Sequence, residues 1–192
     1  MRPDGAFPMT QTAVVKKKFT YADYLKTPDD KRYELIEGDL IMTPSPVTAH
    51  QRISGRIEFE LRKHVQGRDL GEVFDAPLDV YLDNENVLQP DIMFISKDRA
   101  GIIGEKNIQG APDLVIEILS ESTAYRDMAQ KKKLYAKFGV KEYWIVTPEE
   151  ASITIYLLKN AAFQPIHSYL DDDVLESPTL PGLRLPVMNI FS

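Results

Sequence analysis

Apolar positions along this chain repeat with two different periods, and each period marks a type of element. In HQRISGRIEFELRKHV, Ile53, Ile57, Leu61 and Val65 share one stripe of a 3.6-residue repeat, which predicts an amphipathic helix. KRYELIEGDLIMT alternates on either side of Glu37-Gly38-Asp39, the pattern of a β-hairpin. Before it, FTYADYL sets Thr20 three residues ahead of Asp23, a capping-box start for a short helix. GEVFDAPLDVYL reads as one alternating strand with Phe74, Ala76, Leu78, Val80 and Leu82 on one face, and Pro77 marks an edge or a bulge. VLQPDIMFIS resumes as a strand with Asp91 at its centre, on the face of Met93 and Ile95.

PDLVIEILS behaves differently. Leu114, Val115, Ile116, Ile118 and Leu119 are apolar at odd and even positions alike, as in a strand covered on both faces, and Glu117 interrupts them. A helix is expected from about Thr123 to Phe138, stopped by Gly139. KEYWIV reads as another buried strand, SITIYLL and QPIHSYL as outer strands of a meander, and SPTLPGLRLP as the closing segment. There is no internal repeat. Helices and strands interspersed in this order predict an α/β (α+β) fold.

Composition narrows the chemistry. A chain of 192 residues, 43% hydrophobic and 27% charged, suits one globular domain, expected over residues 19–192 after a flexible segment at 1–18. With no cysteine, disulfides, thiolate metal sites and cysteine nucleophiles are excluded, so any metal must be held by oxygen or imidazole. No run approaches the ~20 apolar residues of a membrane span, and the first residues lack a signal-peptide core, so a cytoplasmic protein is expected. A net charge of −6 argues against a protein that coats nucleic acid, yet it is compatible with a nuclease whose acids collect a cation. Arg52, Arg56, Arg62, Lys63 and Arg68 form either a local basic patch or a solvated helix face.

Glu117 poses the chemical question, because a carboxylate is seldom buried without a partner. Asp91 and Glu117 sit on strands close in sequence, each introduced by a Pro-Asp pair. Adjacent strands lie about 4.8 Å apart, so acids at matching heights can share a cation, and oxygen ligands suit Mg²⁺ or Mn²⁺. Asp113, four residues from Glu117 and roughly 13 Å away along a strand, reads as a strand-start residue. In the following helix Ala124, Met128, Tyr135 and Phe138 define an apolar stripe with Lys131 in its middle, aimed at the sheet, while Lys132 and Lys133 read as solvated. An ion pair from Lys131 to Asp127 is the structural alternative. Two acids and a lysine beside a sheet suit metal-dependent phosphodiester hydrolysis.

The ordered segments YELIEGDLIM, HQRISGRIEFEL, APLDV, QPDIMFI, PDLVIEILSEST, RDMAQKKKLYAKFGVKEYWIV and LPGLRLP resemble the Uma-two family of the PD-(D/E)XK nuclease superfamily, from about Phe19 to the C-terminus. That resemblance implies a restriction-endonuclease-like core, a mixed central sheet flanked by helices with additional C-terminal antiparallel strands. It casts Asp91 and Glu117 as metal-binding catalytic acids, Lys131 as the catalytic lysine and Glu34 as a further site acid or a cross-strand salt-bridge partner. Leu119 stands where the superfamily pattern has lysine, a departure the family shares. His50 also matches a family position, and otherwise reads as a cap or core residue. The implied activity is Mg²⁺-dependent cleavage of DNA by a homodimer, with Mn²⁺ as a substitute. The alternative is a nuclease-fold protein that binds nucleic acid or self-assembles without cutting.

Overall fold

The computed structural model describes residues 17–28, 30–120 and 125–192. Residues 1–16 of the expected flexible segment, and Thr123 and Ala124 of the expected helix, lie outside the described residues, as does the Asp127 side chain. In chain order the elements are α1 (Tyr21–Tyr24), β1 (Arg32–Ile36), β2 (Asp39–Thr43), α2 (Thr48–Gln66), β3 (Gly71–Asp75), β4 (Val80–Asp83), β5 (Asn86–Leu88) and β6 (Ile92–Ser96). They continue with β7 (Ile108–Gln109), β8 (Leu114–Ile118), α3 (Tyr125–Phe138), β9 (Glu142–Thr147), β10 (Ser152–Lys159), β11 (Ala162–Leu170), β12 (Val174–Leu175), β13 (Leu185–Pro186) and α4 (Met188–Phe191).

Two sheets carry most of these strands. The larger is mixed, in the order β11-β10-β9-β8-β6-β3, with β8 and β9 parallel and the other neighbours antiparallel. The smaller runs β2-β1-β5-β4-β7. The expected hairpin is β1–β2, with Glu37 and Gly38 both at positive φ in the two-residue turn that right-twisted strands require. Thr20 donates from its backbone N–H and its hydroxyl to the Asp23 carboxylate, closing the predicted cap on α1.

Alternation along β8 assigns its two faces. Leu114, Ile116 and Ile118 join the main core under α2, where Ile53, Ile57, Leu61 and Val65 are all buried, together with Trp144, Val146 and the closing Leu183, Leu185 and Ile190. Val115, on the opposite face, packs with Met128, Leu134 and Tyr135 of α3 and with Ile36 of the smaller sheet. Covering both faces accounts for the unbroken apolar run. It also turns Glu117, in step with Val115, toward α3 and the smaller sheet.

The segment read as a single strand at GEVFDAPLDVYL is two strands in two sheets. β3 pairs with β6, whereas β4 pairs with β5 and β7, and the chain crosses between the sheets at Ala76-Pro77. Proline has no N–H for a ladder, so pairing stops there and the alternation on its two sides is unrelated. VLQPDIMFIS divides the same way: Val87 and Leu88 belong to β5 of the smaller sheet and β6 of the larger sheet begins at Ile92, so Asp91 lies just before β6 and not at a strand centre.

Candidate active site

Five elements converge at one end of β8. By the antiparallel register of β6 and β8, in which Ile92 faces Ile116, Asp91 stands opposite Glu117. The Asp91 Oδ2 accepts the Ile118 N–H at 2.8 Å, so this acid ends the β6–β8 ladder with its side chain. Glu34 arrives from β1 of the other sheet, and its Oε1 accepts the Gln89 N–H at 2.9 Å. Lys131 reaches down from α3 to Glu34 Oε1 at 2.8 Å and to Glu117 Oε1 at 3.3 Å. One helical turn on, the Tyr135 hydroxyl donates to Glu117 Oε1 at 2.7 Å. From the first turn of α2, His50 Nε2 lies 3.2 Å from Asp91 Oδ2. Glu34, His50, Asp91, Glu117 and Lys131 line a cavity of about 160 Å³, with Arg32, Gln89 and the Pro44-Ser45-Pro46 loop on its wall, and Tyr135 stands behind Glu117.

The structure therefore gathers every site residue singled out from the sequence: Asp91, Glu117, Lys131 and Glu34. Glu34 does pair with a cation, but with Lys131 of the helix, not across its own hairpin. His50, which also read as a cap or core residue, is in the site. Leu119 leaves the site: its N–H bonds the Val146 carbonyl and its side chain packs beside α3, so the ammonium that a strand lysine would bring comes from the helix. Tyr135 had been read only as part of the apolar stripe. Its position four residues after Lys131, on the same helical face, was the available signal. Gln89 and Arg32 were also missed, although Arg32 precedes Glu34 by two residues and so shares its strand face.

Electrostatically, three carboxylates meet one ammonium in a region nearly closed to solvent; the Glu117 side chain is 7% exposed and that of Lys131 12%. Burial pushes the Glu117 carboxyl up, Lys131 pulls it down, and Asp91 and Glu34 push it up again, to about 7. Burial lowers Lys131, but Glu117, Glu34 and Asp91 outweigh it and hold the ammonium well above its usual range. The same balance acts on His50, where Asp91 and Glu117 overcome burial and raise the imidazole. Burial first, then Glu117, drives the Tyr135 hydroxyl far up, so it remains a donor. Lys131 is the one ammonium these acids share, while the Arg32 guanidinium on the wall donates to the Gln89 side chain.

These donors fit magnesium in one of its two usual modes. Among the described residues no three His, Asp or Glu side chains are gathered closely enough to cage an ion. Magnesium, however, is commonly held by one or two carboxylates, with water and phosphate oxygens completing its shell. Asp91 and Glu117, facing each other across a strand pair on the wall of this cavity, supply such a pair.

The α2 residues that read as either a basic patch or a solvated face are mostly engaged locally. Arg62 pairs with Glu58 and Asp75, Lys63 with Glu60, and Arg56 donates to the Ile190 carbonyl. Lys132, read as solvated, instead places its ammonium 3.3 Å from the Tyr156 ring centre.

A sequence profile of the Uma2 family, described as "Putative restriction endonuclease", matches residues 21–188. The chain belongs to this family. No curated protein matches it. Among solved structures, "a putative nuclease" from Anabaena variabilis is similar at 22% identity and a TM-score of 0.77, covering 90% of this chain and 97% of that one. The Uma2 membership places the chain in a nuclease class, and the structural likeness shows that the mixed-sheet fold is shared.

Proposed function

We propose that this Uma2 protein is a Mg²⁺-dependent endonuclease that hydrolyses DNA phosphodiester bonds. The observation that carries the reading is the electrostatics around Glu117: Lys131 is the one ammonium shared by Glu34 and Glu117, the Arg32 guanidinium on the wall donates to Gln89 instead, and the Glu117 carboxyl is still pushed up to about 7, which leaves a place for a further cation. Asp91 and Glu117 would hold Mg²⁺, or Mn²⁺ in its stead. When bound, the ion supplies Lewis-acid polarisation of a phosphoryl oxygen and a lowered pKa for its water.

The chain's own residues carry the rest. Lys131, kept charged by its acids, stabilises the negative charge that develops on the phosphate in the transition state. Glu34 fixes that ammonium from the opposite sheet, itself fixed by the Gln89 N–H. Tyr135 holds Glu117 in one orientation from inside the core. His50, raised by Asp91, is positioned to carry a proton at the cavity edge.

No described helix is long and apolar enough to cross a membrane. A homodimer would present two such sites to two DNA strands, and the long edge strand β11, with Ile166 and Leu170 exposed, offers a surface for it. A non-cutting relative is the second reading, favoured by Lys131 already bridging Glu34 and Glu117.

Calorimetric titration of Mn²⁺ into the parent, Asp91→Asn and Glu117→Gln chains, with DNA and RNA cleavage assayed in parallel, tests the proposal. Uptake by the parent alone, with DNA cut in preference to RNA, is the expected result. Absence of uptake and cleavage in the parent would sink it in favour of the non-cutting reading.

A further inference from the structure

The catalytic cavity, at about 160 Å³, admits a phosphate and a few waters but not the nucleosides on either side of it. Those must lie on neighbouring surface. Ser120 and Met128 line both this cavity and a neighbouring groove of about 990 Å³ between α3 and strands β9 to β11. Its floor is apolar and aromatic, with Ile145, Tyr156 and Phe163 from the sheet. Lys132, Lys133 and Lys137 of α3 line its cationic side. Glu149 is the one carboxylate among the residues lining it.

Among the described residues, none of these three lysines forms an ion pair, in contrast to Arg62 and Lys63 on α2. In a chain with net charge −6, three uncompensated ammonium groups on one side of an aromatic trough are a local exception. Lysines that track phosphates beside rings on which bases stack are how single-stranded nucleic acid is held without sequence reading.

We propose that this groove holds a single nucleic-acid strand flanking the scissile phosphate, its phosphates on Lys132, Lys133 and Lys137 and its bases against Tyr156 and Phe163. The proposal rests on the nuclease reading only for the identity of the adjoining cavity. Lys132 covers the Tyr156 ring and would swing to a phosphate as a base takes its place.

The test is fluorescence anisotropy of a labelled oligothymidylate, in buffer with EDTA so that nothing is cut, on the parent chain and on the triple variant Lys132→Ala, Lys133→Ala, Lys137→Ala. The variant is expected to bind at least tenfold more weakly. Its slope of log affinity against log salt should be shallower by about 2, since each lost phosphate contact on a single strand removes roughly 0.7. Phe163→Ala, which leaves the charges in place, should weaken binding roughly 5- to 150-fold, the fold-change equivalent to the ~1–3 kcal/mol of one stacked base, without changing that slope.

Mn²⁺ titration separates this proposal from the active-site reading. A parent that binds oligonucleotide through the groove but takes up no Mn²⁺ and cuts nothing upholds the groove and overturns the nuclease. A parent that takes up Mn²⁺ and cleaves, while the triple variant binds oligonucleotide as tightly as the parent does, overturns the groove alone. Unchanged oligonucleotide affinity with loss of a dimer in sedimentation would also overturn it, and would assign the groove to a second copy of the chain.

Discussion

Strand β8 carries a buried acid near each end, and the two have opposite fates. Asp113, just before the strand, is fully buried, and its Oδ2 accepts the Ser96 N–H at 2.8 Å. Its Oδ1 meets Lys141 at 2.7 Å and Arg99 at 3.2 Å. Burial alone would raise this carboxyl, but Lys141, the Ser96 N–H and Arg99 outweigh it and hold it below the ordinary carboxylate range. Glu117, four residues on and on the same face, shares one lysine with Glu34 and faces Asp91, and its carboxyl is pushed up to about 7. Glu142 on β9 resembles Asp113 in being fully supplied, with Trp144 Nε1 at 2.6 Å, Ser177 Oγ at 2.9 Å and the Thr179 N–H at 2.8 Å. Burial of an acid is therefore no mark of a site here. A deficit of donors and positive charge among buried acids is.

The sharpest way to break this comparison is to neutralise each end of β8. Glu117→Gln should lower cleavage by a thousandfold or more and abolish Mn²⁺ uptake while urea denaturation shows an intact fold, because the amide can still accept from Tyr135 and Lys131. Asp113→Ala should do the reverse, removing about 3 kcal/mol of stability by stranding the Ser96 N–H and two cations while leaving Mn²⁺ affinity of the folded protein near that of the parent. Loss of metal binding in Asp113→Ala with unchanged stability would erase the distinction.

Lys131→Met tests the shared lysine from both sides. Activity should fall about 10²- to 10³-fold, and the fold should lose about 3 kcal/mol near pH 8, where Glu34 and Glu117 then face each other without a cation. That loss should shrink near pH 5.5, where Glu117 takes up a proton, and parallel denaturation curves at the two pH values would show whether it does.

pH dependence in the intact chain has a definite sign. Glu117 titrates higher folded than unfolded, so its contribution to stability is full below about pH 4.5 and is lost as the pH rises through about 7. Relative to the parent, Glu117→Gln should thus gain stability between about pH 5 and pH 8, by on the order of 2 kcal/mol. Asp113 runs the other way: its contribution is present above the unfolded value of about 3.8 and is lost as the pH falls through its lower folded value. The smallest effect should be that of Lys132→Met, which removes one cation–π contact at a partly exposed ring, about 0.5–1 kcal/mol in thermal or urea unfolding.

Local pattern was enough for most elements. The α2 stripe, the β1–β2 hairpin, the both-faces-buried β8 and the stop of α3 at Gly139 follow from periodicity and turn chemistry, which are properties of neighbouring residues and survive in any context. The reading failed at Ala76-Pro77, where equal alternation on both sides concealed a change of sheet; strand pairing is a long-range choice that period-two spacing does not encode.

For the site, the sequence by itself determined the residue types and, through strand and helix phase, that Asp91, Glu117 and Lys131 turn toward a common interior. Only the tertiary structure decided which acids are satisfied. Asp113 and Glu117 lie in one extended segment on one face among apolar neighbours, and what separates them is the arrival of Lys141 and Arg99 at one end and of Glu34 and Asp91 at the other. Charges act through space and through a low-dielectric interior, so the pKa of a buried acid, and with it the cation deficit from which the function is inferred, belongs to the packed ensemble of β1, β6, β8, α2 and α3 and to none of them alone.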